Sequence, residues 1–242
     1  MPAFKSKFVA IPSVALLSLA VLAGCGSNDN KESKPAESRS SSVSSSAAVS
    51  ESASASESAS VEASLPEGYK SVSATNNGIS FGVPEDWVEL NAEAVASNSD
   101  MQEYLDQTAT ELGLSAEQLK QQMAQLDLMA TSTKPDASGF ANNVNVLAEP
   151  VPAKDLPTEA QTQQLAEGAK GTPGEYAEVD TALGKGVTQT YTMEAGGVKV
   201  NGVFLLVPAG DGAGYSVITV SASDASAAKE IVDNIAKSVD KA

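Results

Sequence analysis

The chain has 242 residues, a formal net charge of −16, one cysteine, one tryptophan and no histidine. Without imidazole, Ser-His-Asp and Cys-His catalysis, His-ligated zinc and a histidine switch near neutral pH are excluded, and a single cysteine excludes an internal disulfide or a Cys-rich metal site. The negative field also opposes sequence-independent nucleic-acid binding, which depends on Lys and Arg displacing counterions from phosphates, so no nucleic-acid partner is expected.

The first seven residues carry Lys5 and Lys7 and no acid, and Phe8 to Leu22 is apolar apart from Ser13 and Ser18. That is the layout of a secretory signal. The apolar run falls short of the ~20 residues that a spanning helix needs. Leu22-Ala23-Gly24-Cys25 then matches the lipobox of bacterial lipoproteins. The resemblance implies that the Cys25 thiol takes a diacylglycerol, with palmitate-type chains, and that residues 1–24 are then removed. One acyl chain gives only marginal membrane binding, whereas two make attachment stable. The expected location is therefore the extracytoplasmic face of the cell membrane, held by lipid.

Residues 25–64 comprise the lipidated cysteine and a Ser/Ala/Glu-rich stretch without aromatics, as in Ser40 to Ser46 and Ser50 to Ser64. Such a composition buries too little apolar surface to offset its ordering entropy, and a disordered tether is expected. Its ends would sit roughly 35 Å apart. A reach of that kind suits a thick wall of the Gram-positive type.

Residues 65–242 have a globular pattern and the size of one domain. Tyr69 to Ala74 reads as a strand, and Ile79, Phe81 and Val83 alternate with Ser80 and Gly82 as a second that Pro84 ends. Ser99-Asp100-Met101-Gln102 and Ser115-Ala116-Glu117-Gln118 fit capping boxes and open two helices. The first carries Met101, Leu105 and Leu112; the second carries Leu119, Met123 and Leu126. Met129 to Lys134 and Val144 to Glu149 look extended, and Thr158-Glu159-Ala160-Gln161 opens a polar helix reaching Ala169. Tyr176 to Leu183, Gly186 to Glu194, Val198 to Val207 and Tyr215 to Ala222, parted by Gly-containing turns, are expected to run as consecutive antiparallel strands. Val203 to Val207 is apolar at every position, as in a strand covered on both faces. Asp224 caps a last helix whose stripe is Ala228, Ile231, Ile235 and Val239.

Gly78-Ile79-Ser80-Phe81-Gly82-Val83-Pro84-Glu85-Asp86-Trp87, with Asn142-Asn143-Val144-Asn145-Val146 and the final meander plus helix, resembles the PsbP-like domains of actinobacterial lipoproteins of the LpqN and LpqT type. The resemblance implies an α+β fold, an α/β/α sandwich around a mainly antiparallel sheet, and an interaction role without a shared catalytic set. The two helices between Ser99 and Leu128 look longer than a minimal version of that fold.

The residues weighed as sites are few. Trp87 reads as a plug at the core edge or, functionally, as an aromatic pocket wall. Glu85, Asp86, Glu89 and Glu93 match no Ca²⁺ loop and read as a solvated face, so no metal and no cofactor are expected. Ser226-Ala227-Ala228-Lys229 has the S-x-x-K form, but the S-D-N and K-T-G partners of penicillin-recognising enzymes are missing. Pro208 to Gly214 is glycine-rich, lacks the Gly-Lys-Ser/Thr ending of a phosphate loop and reads as a flexible hairpin between two strands. Met101, Leu105, Leu119 and Met123, with Trp87, form the candidate ligand or partner surface. The expected function is non-enzymatic: a membrane-anchored domain that binds a cell-envelope protein. The alternative is a carrier holding a lipid or other apolar ligand between the helical pair and the sheet, and an envelope hydrolase ranks third.

Overall fold

The structure is a computed structural model that describes residues 63–90, 115–195 and 197–242. In chain order its elements are β1 (Tyr69–Ala74), β2 (Ile79–Pro84), β3 (Trp87–Glu89), α1 (Ala116–Met123), β4 (Leu126–Ser132), β5 (Asn143–Leu147) and α2 (Glu159–Gly168). There follow β6 (Thr172–Thr181), β7 (Gly184–Ala195), β8 (Val198–Pro208), β9 (Tyr215–Ala222), α3 (Ala225–Ser238) and β10 (Asp240–Lys241). Seven strands form one sheet in the order β3-β4-β5-β9-β8-β7-β6, and β1, β2 and β10 form a second, with every pairing antiparallel. The architecture is α+β, and the β6 to β9 meander is the one that the turn signals predict.

Period-2 alternation divides the large sheet between two cores. Val203, Leu205 and Val207 of β8 pack with Ile218 and Val220 of β9, the β1–β2 hairpin, and Ala228, Ile231 and Ile235 of α3. Phe204 and Leu206 point the other way and pack with Val187, Tyr191, Val217 and Ala166 of α2. The unbroken apolar run of β8 is thus buried on both faces. Each such side chain contributes about 1.5–3 kcal/mol by leaving water.

Caps set the helix starts. The Ser115 hydroxyl accepts from Gln118 N–H at 3.1 Å while the Gln118 side chain accepts from Ser115 N–H at 2.8 Å. Gln161 accepts likewise from Thr158 N–H at 2.9 Å. The Asp224 carboxylate accepts from Ser226 and Ala227 N–H.

Four features differ from the expectation. The second helix stops at Met123, and Leu126 begins β4, opposite Leu147, because pairing with β5 supplies ladder bonds that a further helical turn would forfeit. β3 is an additional strand, with Trp87 opposite Ser132. β6 starts at Thr172, four residues early, through an irregular register between Pro173 and Tyr176. Pro208 to Gly214 is seated on the β1–β2 turn: Gly210 N–H donates to Asn77 O at 2.9 Å. The helix expected from Ser99 lies outside the described residues.

Candidate functional site

Of the candidate surface, the described residues Trp87, Leu119 and Met123 do not share one core cluster. Trp87 is 4% exposed and lies in the main core with Phe81, Val83 and Leu128, so its place is the structural one. Leu119 is buried and Met123 half-buried on α1, and neither belongs to the cluster that holds Trp87. Met101 and Leu105, like Leu22, Ala23, Gly24 and Cys25, lie outside the described residues. Lys229 of the S-x-x-K stretch donates to Asp233 at 2.7 Å.

A pocket of about 250 Å³ opens instead between the start of α3 and strands β6, β7 and β8. The irregular register of β6 shapes it. Gly174 lies against Thr190 so closely that a Cβ there would come within 2.5 Å of Thr190 Oγ1. Thr190 Oγ1 in turn accepts from Glu175 N–H at 2.7 Å. From the opposite face Gln189, fully buried, braces the irregularity: its Nε2 donates to Gly174 O at 3.0 Å, and its Oε1 accepts from the Thr162 hydroxyl of α2 at 3.0 Å. Bulges at sheet edges commonly re-aim side chains in this way.

The pocket lining is small and uncharged. Thr172, Thr190, Thr192 and Asn201 supply polar atoms, while Pro173, Ala225 and Ala228 supply apolar wall. Asn201 is fixed by donating to Ser223 O at 2.7 Å. Glu175 and Lys229 directly follow the lining residues Gly174 and Ala228. The Lys229 ammonium is held above its ordinary pKa by its hydrogen bond to Asp233 and the charge of that group, with a smaller contribution from Glu175. This chemistry suits a small neutral group that exchanges hydrogen bonds with hydroxyls and an amide.

The α2-facing side of the sheet carries a second unusual feature. Cross-strand pairing aligns Met129, Asn145, Thr219, Phe204 and Gln189 in one row, and Thr131, Asn143, Ser221, Gly202 and Tyr191 in the next. Asn143 and Asn145 are only 3% and 7% exposed. Asn145 Oδ1 and Thr219 Oγ1 have no hydrogen-bond partner among the described residues. A buried polar atom left in that state costs about 1–3 kcal/mol. In the same rows the Tyr191 ring covers Gly202, where a Cβ would fall 2.1 Å from the ring, and stacks on Phe204 at 4.6 Å. Burial pushes the Tyr191 hydroxyl up to about 12, offset only in part by the Ser221 side chain beside it.

Sequence reasoning missed Gln189, Thr192, Asn201 and Asn145. Gln189 had a readable signal, since it shares the parity of Val187 and Tyr191 and so points into a core. Thr192 and Asn201 carried none, because the pocket exists only through the slipped register of β6.

No protein-family model matches the sequence, and no curated protein matches it. Among solved structures, the chain is similar to the solution structure of cyanobacterial PsbP (CyanoP) from Synechocystis sp. PCC 6803. The identity is 13% and the TM-score 0.41, over 72% of this chain and 93% of that one.

Proposed function

We propose that the chain is an extracytoplasmic lipoprotein, held in the cell membrane by a diacylglycerol on Cys25, whose PsbP-like domain is a non-catalytic module for binding a cell-envelope partner. The observation that carries the binding role is the pocket beside α3, which small residues keep open and a buried glutamine braces from behind. The domain begins at the C-terminal end of α3, where Ser64 N–H donates to Lys237 O at 2.9 Å, whereas Ala225 and Ala228 place the pocket at the N-terminal end of the same helix. Fourteen helical residues separate these ends by roughly 20 Å, so the pocket and Ser64 lie at opposite ends of this helix.

The carrier reading is the weaker one. Over β4, β5 and β9 one sheet face is the main core, and the other presents Thr131, Asn143, Asn145, Thr219 and Ser221. An apolar ligand laid there would meet amides and hydroxyls, which resist desolvation.

The test is a photo-crosslinking residue placed at Ala225, exposed at the pocket rim, and separately at Lys120, exposed on α1, in intact cells. The reading expects a discrete adduct from position 225 and none from position 120. Identical labelling from both positions, or none from either, contradicts it.

A further inference from the structure

We infer that the free edge of β6 receives an extended, cationic segment of the envelope partner as an added strand, an inference that rests on the binding role proposed above. The two edges of the seven-stranded sheet are built differently. At one end β3 is only three residues long, and the Lys70 ammonium occupies the carbonyl of Trp87. At the other end β6 runs for ten residues and pairs only with β7 among the described residues. Tyr176 to Thr181 contains no proline, and in an antiparallel edge strand alternate residues turn their N–H and C=O away from the one neighbour, here β7. Gly174, Glu175, Ala177, Glu178 and Asp180 are exposed. Such an edge offers a row of backbone donors and acceptors to another strand.

Charge selects the occupant. Glu175 lies on the α3 side of the edge and Glu178 on the α2 side; Asp180 is matched by Lys185 at 3.0 Å. The Tyr176 hydroxyl is raised first by burial and then by the charges of Glu178 and Glu159, which marks the negative field along this strand. A second copy of the chain would bring the same acids alongside, and like charges across a strand pair are destabilising. The protein's own tether is also unsuited: residues 50–64 carry Glu51, Glu57 and Glu62 and no Lys or Arg, and its cations Lys31, Lys34 and Arg39 are interspersed with Glu32 and Glu37 and interrupted by Pro35, which cannot donate to a ladder. A strand bearing Lys or Arg gains where those lose. The pocket adjoins the Gly174 end of this edge and has room for one small neutral side chain of the added strand.

The experiment uses the mature chain, residues 25–242 with Cys25→Ser, and hydrogen exchange in the presence of three synthetic ten-residue peptides. One alternates Lys with Thr and Val, one replaces each Lys by Glu, and one keeps the Lys residues but places Pro at alternate positions. The inference expects the first alone to slow exchange in residues 174–181, and the E175K/E178K variant to weaken that binding at least tenfold at low salt. Equal protection by the Pro-containing peptide, equal binding by the variant, protection confined to other segments, or no binding overturns it. If β6 is unprotected while position 225 still gives its specific adduct, this inference fails and the binding role stands. If the adduct is also absent, both fail.

Discussion

Asp127 grips Asn77 from fifty residues away: its carboxylate accepts from the Asn77 backbone N–H at 3.0 Å and from the Asn77 side-chain amide at 2.9 Å. The same carboxylate accepts from Asn76 N–H at 3.1 Å, and the Asn77 amide also donates to Leu147 O at 2.8 Å. Asn77 is 0% exposed, so the bonds it makes tie the β1–β2 turn to β4 and β5 through a buried side chain. Replacing Asp127 by Ala leaves the Asn77 backbone and side-chain donors without their acceptor and is expected to cost about 1–3 kcal/mol. A urea midpoint that falls at constant slope is the expected result.

The same turn meets the β8–β9 loop at a point where no side chain fits. A Cβ on Gly210 would lie 1.9 Å from the Gly78 carbonyl oxygen, and Gly78 itself has φ +62°. Gly210→Ala is expected to destabilise by about 1–3 kcal/mol through forced backbone movement. Gly168→Ala, in α2 with no atom within 4 Å of the new methyl, serves as the contrast and is expected to be neutral or slightly stabilising. Thermal unfolding of the two variants side by side checks the pair.

These two junctions also mark what the sequence makes legible. Ser115, Thr158 and Asp224 announce three helix starts because a cap is a local bond, and the β6 to β9 meander is announced by local turns and alternation. Contacts between distant segments leave no such trace. Nothing near Leu126 says that its chain will pair with Leu147 rather than finish a helix, and nothing in Pro208 to Gly214 says that Gly78 waits opposite. Asn143 and Asn145 alternate with Val144 and Val146 as an exposed face would, yet the fold buries them. The pocket was illegible for the same reason, since it follows from one register irregularity against Thr190.

The loop after β4 is predicted to loosen in acid. Burial of Asp136 alone would raise its pKa, but hydrogen bonds from the Ser138 and Ser223 hydroxyls and from the Phe140 and Ser138 N–H groups outweigh that and hold it below the usual range. The folded carboxylate therefore stays charged to lower pH than the unfolded one. Its stabilisation is present above about pH 4 and is lost as pH falls through the lowered folded value. Asp136→Asn should flatten the acid limb of stability, read from urea midpoints across that range.

At the other extreme, Tyr191 governs an alkaline limb. Its folded pKa of about 12 exceeds the ordinary 10.0, so the folded state keeps a proton that the unfolded chain releases. Stability from this source is complete below pH 10 and falls as pH rises toward 12. Tyr191→Phe is expected to remove that slope while costing under about 1 kcal/mol at pH 7, because the stack on Phe204 is kept and the hydroxyl has no partner of hydrogen-bond geometry.

The central claim, a lipid-anchored binding domain, is tested most directly by the intact mass of the protein extracted from membranes of the cells that make it. The account predicts a chain that begins at Cys25 and carries a diacylglycerol on its thiol, with the Cys25→Ser variant recovered away from membranes. A chain that retains residues 1–24, or a Cys25→Ser variant that remains membrane-bound, would contradict it.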